Sequence, residues 1–143
     1  MVKALPDKWI RKAIYTSINN ITVDGVVIPC FDYRYTGKSK DNYIILSTQS
    51  NEVDKSIKCG YRWESSILID IITKYDLGGN TGSREFADNI LDKVRELTDN
   101  LTLDIASGLE IVTQRQSFPN DLESENTNQI IFRKFIRIEF LIN

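Results

Sequence analysis

The sequence contains no histidine, and its 143 residues include only two cysteines, three prolines and one methionine. Without histidine the chain lacks the commonest general acid or base near neutral pH and the commonest zinc ligand. Any hydrolytic chemistry would have to run on carboxylates, lysine or tyrosine. Cys30 and Cys59 stand in no metal-ligand spacing and supply neither a disulfide framework nor a thiolate site. Two incidental thiols fit a chain made and kept in a reducing cytoplasm. Long apolar runs are missing too. Pro6 and its charged neighbours interrupt the N-terminal stretch before an h-region could form, and nothing approaches the roughly 18 residues that a membrane span needs. Nor is there a surplus of one charge: 18 Lys and Arg against 20 Asp and Glu give a net charge of -2. A global drive towards nucleic acid or anionic lipid is therefore excluded, leaving only local patches.

What is present is an ordinary globular balance, 41% hydrophobic and 27% charged, in a chain long enough to hide roughly 68–70% of its unfolded surface. With no repeat or composition shift, residues 1–143 are expected to form a single domain. Ile10, Ala13, Ile14, Ser17 and Ile18 recur at helical spacing and predict a helix over 7–18 that starts near Pro6. Asp24-Gly25 between β-branched residues predicts a short hairpin ended by Pro29. Residues 32–42 read as a surface loop, 43–48 as a strand and 51–60 as a polar connection. Period-two patterning over 61–74 predicts a long half-buried strand, with Tyr61, Trp63, Ser65, Ile67, Ile69 and Ile71 on one mainly apolar side and a mixed face opposite. Phe86, Ala87, Ile90, Leu91, Val94 and Leu97 gather on one arc of a second helix, with Ser83 as its N-cap and Glu85 in its first turn. Residues 109–117 form a moderately polar strand, 118–128 a turn-rich acidic loop or wide hairpin connection, and 129–142 a second long strand antiparallel to the one before it. The class is α+β: a mainly antiparallel twisted sheet with two helices packed on one face.

Two groups of residues suggest chemistry and fail on detail. Gly78, Gly79 and Gly82 precede a helix, as in phosphate-cradling loops, but Ser83-Arg84 replaces the Lys-Ser/Thr of a P-loop and the glycine spacing is not that of a dinucleotide fingerprint. A pliable strand-to-helix turn explains them better. Glu64, Asp70 and Asp76 could offer oxygens to a divalent metal for phosphodiester cleavage. Since Arg62 and Lys74 share their strand face, solvated charge pairing is the simpler account. No catalytic, metal or cofactor site is assigned.

The terminal strand sets Arg133 and Arg137 beside Phe135, with Lys134 adding charge. Interleaved basic and aromatic residues bind single strands of nucleic acid, and they also populate subunit interfaces. Two helices on one face leave the other to water or a partner, and Ile131, Phe135 and Leu141 favour a partner. Arg133, Phe135 and Arg137 are therefore the candidate interface, joined by Gly37, Lys38, Asp121 and Glu123 from the two long loops.

The order of helix, hairpin, strand, long strand, glycine-containing loop, amphipathic helix and two strands resembles the small tail-completion proteins of tailed bacteriophages, above all tail terminators and related head-tail joining proteins. The residues that carry the likeness are the strand 61–74, the loop 78–83, the helix 86–97 and the strand 130–142. The resemblance spans most of the chain, rests on element order rather than on a motif, and transfers no functional residue. It implies a non-enzymatic virion subunit, present in the host cytoplasm during assembly. That subunit forms a ring, commonly a hexamer, and meets tail-tube and neck or connector proteins without a cofactor or membrane. Around a DNA channel, an acidic lining would limit sticking of the genome. A single-stranded nucleic-acid-binding module and a carboxylate-metal nuclease are the alternatives.

Overall fold

The computed structural model describes residues 4–32, 41–53, 62–76, 84–125 and 128–143. Helix α1 (Asp7–Ile18) starts at Pro6, whose carbonyl accepts from the Ile10 N–H at 2.9 Å. Proline suits this place because its missing N–H would have no helical partner. Ile10, Ile14 and Ile18, at i, i+4 and i+8, are fully buried, each contributing roughly 1.5–3 kcal/mol of apolar burial. Strands β1 (Ile21–Val23) and β2 (Val26–Ile28) make a separate antiparallel hairpin. Asp24 and Gly25 turn it with φ of 50° and 80°, the two left-handed residues a two-residue turn of matching twist needs.

The main sheet runs β3-β4-β5-β8-β6, and β7 continues the β6 side of β8. Its members are β3 (Cys30–Phe31), β4 (Asn42–Val53), β5 (Trp63–Asp76), β6 (Ile111–Ser117), β7 (Leu122–Glu125) and β8 (Gln129–Ile142). All pairings are antiparallel except β3 with β4. The longest is β5 with β8, from Trp63 opposite Ile142 to Asp76 opposite Gln129. Helix α2 (Arg84–Leu97) buries Ala87, Ile90 and Val94 and carries Glu85 in its first turn. With α1 it covers the sheet face made by Ile44, Leu46, Ile67, Ile69, Ile71, Ile136 and Ile138, and these residues form one core. The architecture is the expected α+β, two helices on one face.

Local differences have local causes. The expected strand 43–48 continues to Val53 because a bulge between Leu46 and Gln49 lets the chain stay paired with β5 despite its polar composition. The acidic stretch 118–128 is more than a loop. Within it β7 pairs with β8 from Leu122 opposite Arg133 to Glu125 opposite Ile130, with all four residues exposed, so backbone hydrogen bonding rather than burial makes it a strand. Ser83 and the loop 78–83, like Gly37 and Lys38, lie outside the described residues.

Candidate functional site

The site residues on β8 and β5 lie on the sheet face away from the helices. Register places Arg133 opposite Ile72, Phe135 opposite Asp70, Arg137 opposite Leu68 and Glu139 opposite Ser66. The middle of this face is closed to water: Tyr43, Asp70, Ile72 and Phe135 are all buried. Asp70, 2% exposed, accepts from the Arg133 guanidinium through both oxygens, Nη2 on Oδ2 and Nε on Oδ1 at 3.4 Å. The guanidinium also lies 5.6 Å from the Phe135 ring centre. The hydrogen bond to Asp70 raises the Arg133 pKa against an opposing effect of burial, and the charges of Asp70 and Tyr43 add to the rise. Arg133 thus neutralises a buried carboxylate within the subunit. Phe135, 9% exposed, has little ring left for a partner. Arg137 remains half-buried on the same face.

Lys134 belongs elsewhere. Alternation turns it to the helix-covered face, where its Nζ donates to Asp121 at 2.7 Å and contacts Asp88 of α2 at 2.6 Å. Burial works against its charge, but these two carboxylates outweigh it and leave the pKa above the usual lysine value. Lys134 therefore adds nothing to the charge around Arg133 and Arg137, and Asp121 is spent on holding β7 and β8 to the helix layer. Glu123, opposite Phe132 on β7, is exposed. No local sequence signal could have found these pairs, since Asp70 and Arg133 lie 63 positions apart.

Glu64, Asp70 and Asp76 do not converge. Six positions separate each from the next along one strand, which is roughly 20 Å, and Asp70 is already taken by Arg133. Cys30, the described thiol, is buried. Its pKa is pushed up to about 12, first by burial and then by the charge of Asp32. It is a poor nucleophile in this setting.

At the end of the sheet beyond Arg137, the same face forms a groove of about 740 Å³ lined by Ser50, Glu52, Glu64, Ser66, Arg115 and Glu139. Glu52 stands directly opposite Glu64, an unfavourable like-charge pair. Arg115 reaches Glu139 at 3.3 Å. The groove is acidic on its β4–β5 side and compensated on its β6–β8 side. Behind it, β6 is fixed to the end of α2. Gln114 donates to the Thr98 carbonyl, and Gln116 donates to the Arg95 carbonyl at 3.1 Å and the Thr98 hydroxyl at 3.0 Å. These bonds satisfy groups that a helix end leaves open.

No protein-family model matches the chain, and no curated protein sequence is similar to it. Among solved structures, it is similar to a chain described as "Virion of native gene transfer agent (GTA) particle". The two share 15% sequence identity and superpose with a TM-score of 0.66 over 94% of this chain and 96% of that one. That likeness, running nearly end to end in both chains, is one of fold.

Proposed function

We propose that this chain is a structural protein of a phage-like virion, a ring-forming subunit that terminates the tail tube or joins it to the head and neck. The observation that carries the reading is the end-to-end likeness of fold to a chain of a gene transfer agent virion. The residues agree with a non-catalytic role. The polar side chains with defined partners are occupied in holding the subunit together: Asp70 with Arg133, Lys134 with Asp88 and Asp121, Gln114 and Gln116 with the end of α2. Function then lies in shape and in surfaces that meet neighbouring subunits.

Single-strand binding loses support from the same pairs, because Arg133 is neutralised by Asp70 and Lys134 points to the helix layer. The test of the structural reading is light scattering coupled to size exclusion, on the protein alone and mixed with a tail-tube protein, followed by electron microscopy of the larger species. A ring in either sample is the expected result. A strictly monomeric particle in both samples would count decisively against it.

A further inference from the structure

The main sheet ends in two open edges at the same end of the molecule. On one side β4 is paired to β3 only at Ile44 and Ile45, so among the described residues the outer side of 49–53 has no strand beside it. On the other side lies β6, whose inner partner is β8 and which likewise has no outer partner among the described residues. Open edges normally carry devices that prevent pairing, and bulges near Leu46/Gln49 and Ile111/Thr113 are of that kind. Both bulges lie outside the stretches 50–53 and 114–117, which remain regular.

We infer that these two edges are made for each other in neighbouring copies of this chain: β6 of one subunit adds antiparallel to the outer side of β4 in the next. This rests on the ring reading only in taking the occupant to be a second copy. Three features support it. First, strand direction alternates across β4-β5-β8-β6, so a β6 set beside the next subunit's β4 with the same face up runs antiparallel to it, the more stable arrangement. Second, the charges are complementary. Arg115, its side chain 76% exposed and 3.3 Å from Glu139, and Glu52, also exposed, both lie on the face away from the helices. In one copy they are separated by β5 and β8, roughly 14 Å of sheet, and cannot meet. Setting Arg115 opposite a neighbour's Glu52 brings Gln114 opposite Val53, Gln116 opposite Asn51 and Ser117 opposite Ser50, so that every pair shares a face. Third, exposed apolar side chains collect on these edges: Val53 on β4, and Val112, Phe118 and Leu122 along the β6–β7 side.

The charges also select against the wrong assembly. Two β6 edges paired about Arg115 would set like charges opposite each other, and two β4 edges paired about Glu52 would do the same, so charge favours the head-to-tail pair. A head-to-tail contact is the kind that closes into a ring. Within a subunit, Arg115 sits one row along from Glu52, beside Ser66 rather than Glu64. Setting Arg115 against Glu52 therefore offsets the rows at each junction, and a closed, tilted sheet carries a stagger of this kind.

The test is charge reversal with cross-linking, on full-length protein carrying Cys59→Ser. Glu52→Arg and Arg115→Glu alone should each weaken self-association about tenfold or more, and the double reversal should restore it. A copy with Asn51→Cys mixed with a copy with Gln116→Cys should form a disulfide-linked dimer under mild oxidation. This second readout stands even if a reversal variant misfolds. Rings that survive both single reversals and give no cross-link would overturn the edge inference and leave the ring reading intact. A wild-type chain that never self-associates, alone or with a tail-tube protein, would overturn both.

Discussion

The two faces of the main sheet are held by different physics. Under the helices, Ile67, Ile69, Ile71, Ile136 and Ile138 are fully buried against Ile10, Ile14, Ile90 and Val94, a contact that is apolar, additive and tolerant of small changes in shape. On the opposite face the buried centre is built around one carboxylate, Asp70, and one guanidinium, Arg133, whose value depends on both being present. The first face supplies stability. The second fixes which residues of β5 and β8 sit opposite one another, since a one-residue slip would separate the pair and turn the helix-facing isoleucines of the slipped strand outward.

Substitutions of adjacent residues on β5 should break this comparison most visibly. Ile69→Ala is expected to cost about 2–5 kcal/mol in urea denaturation. The neighbouring Leu68→Ala, half-buried on the other face, should cost about 1 kcal/mol or less; equal losses would mean that the two faces are not distinct. Next in size is Arg133→Met. It strands the buried Asp70 carboxylate and should cost about 2 kcal/mol, below the 3–5 of fully buried pairs because the guanidinium is 42% exposed. Asp70→Leu leaves its cation in contact with water and should cost less; a reversed order would refute the assignment of Asp70 as the desolvated partner.

Lys134 sharpens the comparison from the helix side. Its partners Asp88 and Asp121 are 54% and 43% exposed, so Lys134→Met should cost only about 1 kcal/mol. Its pKa is raised in the folded state. The stabilisation is therefore complete below the ordinary lysine value of 10.5 and fades as pH rises through the higher folded value. Melting temperatures of wild type and Lys134→Met should converge above that pH and stay parallel below it. The smallest effect is chemical. In a Cys59→Ser variant the thiol of Cys30, raised to about 12 by burial, should resist maleimide at neutral pH until denaturant is added. Rapid labelling of the folded protein would show that the region around β3 opens readily.

Much of this fold was legible because its long elements are strongly periodic. The helix over 7–18, the Asp24-Gly25 hairpin and the two long strands stand where alternation and turn chemistry put them. What escaped was non-local. The two-residue strand β3 exists only because β4 lies beside it, and β7 is an exposed tetrapeptide that no pattern of burial could reveal. The candidate site was less legible still. Lys134 adjoins Arg133 in sequence, yet the pleat sends it to the other side of the sheet. The partners of both, Asp70, Asp88 and Asp121, come from three different segments.

Strand β8 has a consequence for how the subunit is made. It lies between β5 on one side and β6 and β7 on the other, yet it is synthesised after every strand it joins. A nascent chain halted before residue 129 therefore holds a split sheet: β4 and β5 can pair, but β6 and β7 lack the strand they pair with. Because contacts of such large sequence separation form late, the sheet edge that β6 carries comes into being only once β8 has been made. Chains halted before β8 are thereby kept out of any assembly that uses it.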